Sequence, residues 1–176
     1  VVFIVSKTFA QSFPEDSLNY VIEKAEQGNA EYQYVLGTHY YNIKDYNLAV
    51  YWTKKAADQG LVSAQSNLGV CYFNGQGVNQ DYDQAVFWYQ KAADQGLISA
   101  QNNLALCYVK GTGVSQSHSM AAYWYKKAAE QGDAEAQVQL GILYKNGQGV
   151  SQSNEMAIFW LKKAAEQNDP IAQYYL

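Results

Sequence analysis

Two cysteines and two histidines are the side chains best able to act as nucleophiles, bases or soft metal ligands here, and their spacing limits what they can do. Cys71 and Cys107 stand 36 residues apart, the interval that also separates Trp52, Trp88, Trp124 and Trp160. Equivalent positions on stacked helices lie roughly 10 Å apart, beyond the ~7 Å Cα separation a disulfide spans. Both are therefore expected to be free, buried thiols. Without a Cys-x-x-Cys pair or clustered histidines, they do not form a zinc set. His39 falls in the same slot as Cys71, which predicts a core-edge position, and His118 falls at an exposed helix start. Neither has a serine or cysteine nearby in a nucleophile arrangement. The Gly-x-Gly turns at 75–77, 111–113 and 147–149 lack the preceding strand and third glycine of a dinucleotide loop. Asp81 and Asp83 suit a helix cap and a helix-start charge. No catalytic, cofactor or metal site is expected from these groups.

Charge narrows the partners. All 12 basic residues are lysine and the net charge is −4. Without arginine the surface lacks the planar fork that favours bidentate phosphate and guanine contacts, so nucleic-acid binding is disfavoured. No block of like charge marks a membrane surface, and no segment reaches the ~20 apolar residues of a membrane span, so no membrane insertion is expected. The run Val1 to Val5, followed by Thr8-Phe9-Ala10, has the form of a signal-peptide tail with cleavage after Ala10. A remnant of an earlier repeat or an N-terminal arm over residues 1–15 is the other reading. Placement depends on which holds: periplasmic or secreted if residues 1–10 are such a tail, cytoplasmic otherwise.

The elements that must position these residues come from one repeated block. Lys91 to Leu104 (KAADQGLISAQNNL) recurs at Lys55 to Leu68, Lys127 to Leu140 and Lys163 to Leu176. A fixed period of this length marks stacked supersecondary units, each burying its apolar face only against neighbours. In the second unit Ala64, Leu68, Cys71 and Tyr72 make one apolar helical stripe, and Ala85, Trp88, Tyr89 and Ala92 make another. Small and large residues alternate, as two closely packed antiparallel helices need. The expected fold class is all-α, a right-handed α-solenoid of antiparallel helix pairs.

Boundaries follow from caps. Residues 16–28 read as the second helix of a partial leading unit; full units run from about 29 to 60, 61 to 96, 97 to 132 and 133 to 168, and residues 169–176 open another. Asn29, Asp81, Ser117, Ser153 and Asp169 read as N-caps, with Gln84 completing a capping box and Pro170 at the first helical position. Gly75 and its equivalents read as left-handed C-caps. Gly37, Gly69 and Gly141 sit inside apolar stripes, which predicts close approach of a neighbouring helix, since an interior glycine costs roughly 1 kcal/mol. The first unit is four residues shorter, with the loss between Tyr40 and Tyr46.

The pattern Ala-x-x-x-Leu-Gly-x-x-Tyr-x-x-Gly-x-Gly-Val, then Ala-x-x-Trp-Tyr-x-Lys-Ala-Ala-x-Gln-Gly, resembles the Sel1-like repeat, a relative of the tetratricopeptide repeat, over roughly residues 16–176. The first unit departs from it with a plainer tetratricopeptide-like turn. The resemblance implies a non-catalytic adaptor that holds a partner protein or peptide, as in bacterial envelope and host-interaction systems or eukaryotic protein quality control. It further implies a concave groove lined by the first helices. Here those positions are Glu31, Tyr34, Thr38 and Tyr41; Ser63, Ser66, Val70 and Phe73; Ser99, Asn102, Leu106 and Val109; and Glu135, Val138, Ile142 and Lys145. They vary from copy to copy, as a bespoke surface would, though unconstrained exposed positions vary too. The face lacks the Lys and Asn pair of a carboxylate clamp. The alternatives are a secreted small-ligand module of the lactam-binding type, an enzyme-associated module, or a structural spacer in a longer protein. A secreted branch of the family carries paired cysteines within each repeat; this chain does not, which weighs against the lactam-type reading.

Overall fold

A computed structural model describes residues 15–176. The signal-peptide expectation for residues 1–10 and most of the arm at 1–15 lie outside the described residues. The chain forms α1 (Glu15–Glu26), α2 (Ala30–Asn42), α3 (Tyr46–Asp58), α4 (Val62–Asn74), α5 (Tyr82–Asp94), α6 (Ile98–Lys110), α7 (His118–Glu130), α8 (Ala134–Asn146), α9 (Asn154–Glu166) and α10 (Pro170–Tyr175). These fall into two compact units, the first ending at Gln95 and the second starting at Gly96. In the first, α2 packs on α3 and α4 on α5, with α3 against α4 and α1 against α2. The second repeats this with α6 on α7, α8 on α9, α7 against α8 and α9 against α10.

Local chemistry explains where most of the helices start. Asn29, Asp45, Asp81, Ser117, Asp133, Ser153 and Asp169 each accept a main-chain N–H from the first helical turn. That satisfies one of the donors every helix start leaves unpaired. The capping box expected at Asp81 is only half present, because the Asp81 N–H donates to the Tyr72 carbonyl at 3.0 Å, not to Gln84. Ser117 and Ser153 do the same toward Tyr108 and Tyr144. These bonds tie the start of each second helix to the end of its own first helix.

The cores are the predicted stripes. Leu36, Leu68, Leu104 and Leu140 are 0–1% exposed, and all four tryptophans are buried. The interior glycines admit a large neighbour. A Cβ on Gly69 would lie 2.6 Å from Cδ1 of Tyr89, and one on Gly141 would lie 2.9 Å from Cγ of Leu161. The contact is made by the second helix of the same repeat. Gly77 and Gly149 combine a φ of +72° with main chain pressed against them: Gly77 against Tyr46 and Asn47, Gly149 against His118 and Ser119. The second glycine of these turns therefore does more than reverse the chain. It lets the turn lie on the start of the preceding repeat's second helix.

A chain of glutamines closes the seams, and it explains why the repeated block contains Gln-Gly and Ala-Gln. Gln59 donates Nε2 to Gln33 Oε1 at 2.7 Å, while Gln33 donates to the Ala25 carbonyl at 3.0 Å. Gln95 meets Gln65 at 2.8 Å, and Gln65 reaches the Ala57 carbonyl at 3.4 Å. In the second unit Gln131 meets Gln101 at 2.9 Å and Gln167 meets Gln137 at 3.0 Å. Gln137 donates in turn to the Ala129 carbonyl at 3.2 Å. The carbonyls so occupied belong to last helical turns, and each also accepts the N–H of the glycine that ends its helix, Gly28, Gly60 or Gly132. The buried amide thus joins the helix before the seam to the helix after the next.

Candidate functional site

The face of the first helices, α2, α4, α6 and α8, is the candidate site, and burial divides its positions. Glu31, Glu135 and Lys145 are exposed. Tyr34, Thr38, Tyr41, Ser63, Phe73, Ser99, Asn102, Leu106, Val109 and Ile142 are half-buried. Ser66, Val70 and Val138 depart from the expectation: at 0%, 1% and 2% exposure they are shut away from solvent and present nothing to a partner. For Val138 the cause is direct, since it packs with Leu161, Ala164 and Ala172. The open face is narrower than helical periodicity alone suggests.

Several of the half-buried positions also hold adjacent repeats together. Tyr34 packs on the core around Val50, Leu68 and Trp88, and its phenol accepts from Asn67 Nδ2 at 3.2 Å. Burial pushes the Tyr34 phenol above its ordinary pKa. Tyr41 donates its hydroxyl to Gln76 Oε1 at 3.2 Å, and burial raises its pKa as well. Asn102 donates Nδ2 to Asp133 Oδ1 at 2.9 Å, the oxygen that also caps Ala136 N. Lys145 lies with Nζ 5.1 Å from the ring centroid of Tyr175.

The residues weighed first for chemistry lie apart from this face. Cys71 and Cys107 are free and buried, and burial pushes their thiols up to about 12 and about 11. At neutral pH they are protonated and poor nucleophiles. His39 meets Tyr40 edge-on at 5.5 Å between ring centroids, and His118 is the first residue of α7. Among the described residues no group of His, Cys, Asp and Glu could hold a metal ion, and no helix is long and apolar enough to cross a membrane.

Two aromatic sets escaped the reading by stripes. Tyr51, Phe87, Tyr123 and Phe159 stand 45–49% exposed on the second helices, each edge-on to the tryptophan that follows it. The lysine four residues on lies over each ring, at 4.7–5.5 Å. The recurring aromatic-x-x-x-Lys spacing was the available signal. The second set joins the two ends of a turn: Tyr41 meets Tyr46 at 5.3 Å, and Phe73 meets Tyr82 at 5.1 Å. Only the fold brings these pairs together.

Paired helices in a fixed repeat, a buried aromatic and leucine ladder, and a variable open face define a helical repeat protein. The Sel1 repeat profile matches residues 30–61, 62–97, 98–133 and 134–169, and the chain belongs to that family. It is similar to c5321, a protective antigen present in uropathogenic Escherichia coli strains displaying an SLR fold: 42% identity over 88% of this chain and 34% of that one, TM-score 0.85. A Sel1 repeat protein from Oxalobacter formigenes is 32% identical over 92% of this chain and 48% of its own, TM-score 0.82. Cysteine rich protein B of Helicobacter pylori, 22% identical with a TM-score of 0.58, covers 70% of this chain and 94% of its own, and shares the fold. Among curated proteins none matches. The chain spans about a third and about half the length of the first two structures. The fold class is the all-α solenoid of helix pairs common to these proteins, and the names of the similar structures point to bacteria. Sel1 repeats form a non-enzymatic scaffold fold that generally mediates protein–protein interaction.

Proposed function

We propose that this chain is an adaptor that holds a partner protein or peptide along the open face of its first helices. The observation that carries the reading is the contrast between positions. Core and seam residues repeat from copy to copy, whereas the accessible face changes from Glu31, Tyr41 and Phe73 in the first unit to Val109, Glu135 and Lys145 in the second. Constant geometry with changing side chains is how a repeat array builds a specific surface. The test is photo-crosslinking in the native cell, with a crosslinking residue at 31, 73 or 145, and at 54, 126 or 162 on the second helices. A discrete partner captured only from the first set is expected. Equal capture from both sets, or capture from the second alone, overturns it; no capture anywhere favours a spacer. Follow-up variants should be Tyr34→Phe and Tyr41→Phe, since alanine would also remove seam packing.

The envelope or the extracellular space is the location this reading favours. The apolar Val1 to Val5 run supports it, as does the similarity to a protective antigen. Sequencing the N-terminus of the native protein should find Gln11 first; retention of Val1 to Val5 overturns the placement.

A further inference from the structure

One position of the repeat is both exposed and constant. Tyr51, Phe87, Tyr123 and Phe159 recur every 36 residues on the second helices, and each stays 45–49% exposed. An aromatic ring left half in water forgoes part of the gain its burial would bring, and here that happens in all four repeats. The lysine four residues on is equally regular. Its ammonium lies over the ring at 4.7 Å for Lys55, 4.8 Å for Lys91, 5.5 Å for Lys127 and 5.0 Å for Lys163. In three of the four it lies over the neighbouring tryptophan as well, at 5.1–5.6 Å.

Among the described residues none of these four lysines makes an ion pair. The carboxylates within reach on the same helices are engaged by other side chains: Asp58 by Lys54 at 3.0 Å, Asp94 by Gln90 at 2.9 Å and Glu130 by Lys126 at 3.8 Å. Each station therefore offers a cation without a counter-ion beside a half-bare aromatic ring. Within each unit the equivalent station of the next repeat follows at roughly 10 Å, one helix-packing distance. An anion that also carries a flat apolar surface complements such a station. A uronic acid residue has both, because one face of its pyranose ring is made of C–H groups that can lie on an aromatic ring while its carboxylate meets the ammonium. A polymer of such sugars presents the same groups at every step, and a constant station matches a constant ligand. A protein partner presents a different side chain at each step, and the first-helix face varies accordingly.

We infer that the exposed face of the second helices binds an acidic polysaccharide, one uronate-type sugar to each aromatic–lysine station, with successive stations reinforcing one another through the shared chain. This goes beyond the adaptor reading, which uses the first helices. A polysaccharide adds no discrete protein to crosslinks at 54, 126 or 162, so the two readings stand or fall separately. The probe is polygalacturonate, with dextran as the neutral polymer and polyglutamate as the acidic polypeptide, each titrated into the whole chain and followed by tryptophan fluorescence and amide NMR shifts. Saturable binding of polygalacturonate is expected, with shifts at residues 51–55, 87–91, 123–127 and 159–163, at least about fivefold tighter than polyglutamate and absent with dextran. Lys55→Gln with Lys91→Gln should weaken it about fivefold, and Tyr51→Leu with Phe87→Leu by a similar factor. Lys110→Gln with Lys145→Gln lowers the net charge equally from the first helices and should leave binding unchanged. If the ring variant melts early, the Lys55 and Lys91 pair, exposed on α3 and α5, decides. Absence of saturable binding, shifts confined to the first helices, or equal weakening by the two lysine pairs overturns the proposal. Equal binding of polyglutamate also overturns it and marks the face as one for acidic protein.

Discussion

Replacing Gln137 measures what holds one repeat to the next. Its side chain is 3% exposed, donates to the Ala129 carbonyl at 3.2 Å and accepts from Gln167 Nε2 at 3.0 Å. Gln137→Met keeps the length of the side chain and removes both hydrogen bonds. Each contributes about 1 kcal/mol net, and neither partner is left bare, since the Ala129 carbonyl still accepts from Gly132 N and Gln167 Nε2 still reaches the Gly132 carbonyl, both at 3.0 Å. Some of that returns as apolar burial, so a loss of about 1–2 kcal/mol is expected. Gln137→Ala adds a cavity where the Cγ methylene and the carboxamide stood, the methylene alone worth about 0.8 kcal/mol before any relaxation, for a loss of about 2–3 kcal/mol. Gln173, exposed on α10, is the matched control, and its change to Ala should stay within about 0.5 kcal/mol. Urea unfolding followed by far-UV circular dichroism gives the values. A double-mutant cycle with Gln167→Ala should return a coupling of at least about 0.5 kcal/mol. A Gln137→Met protein as stable as the parent, or zero coupling, would refute the claim that the glutamine pair binds the seam.

Four further outcomes follow from burial and backbone geometry. Trp88→Ala should lose about 3–5 kcal/mol as a core truncation, and a change below about 1 kcal/mol would place the ring outside the core. Gly77→Ala should cost more than Gly60→Ala by at least about 1 kcal/mol: both hold positive φ, but only at Gly77 does a new Cβ meet main chain, that of Tyr46. Equal melting temperatures would contradict the packing of that turn. Burial holds the folded Cys71 thiol at about 12 against an ordinary 9.0, so its contribution to stability is complete below pH 9 and is lost as pH rises toward 12. Unfolding curves at pH 8 and pH 10.5 should therefore converge more closely for Cys71→Ala than for the parent. A thiol reagent at pH 8 should label both cysteines in denaturant and neither in the native protein; rapid native labelling would count against their burial.

Residues such as Leu68, Trp88, Gly75 and Asp81 were legible from one dimension because the physics behind them is local. A cap concerns its own first turn, a left-handed glycine its own φ, and an apolar stripe the face of a single helix. The period of 36, the paired helices, the short first turn and the core ladder are all of that kind. Tertiary structure alone decided the rest, because it depends on which helix lies across a seam. Ser66, Val70 and Val138 occupy positions that helical spacing assigns to the open face, yet their neighbours bury them. Gln65 and Gln137 look like surface amides until the fold brings Gln95 and Gln167 within hydrogen-bond reach. The sequence by itself determined what each helix is. Burial and hydrogen bonding between residues some 30 positions apart required the folded chain, since no local preference encodes a distance across a seam.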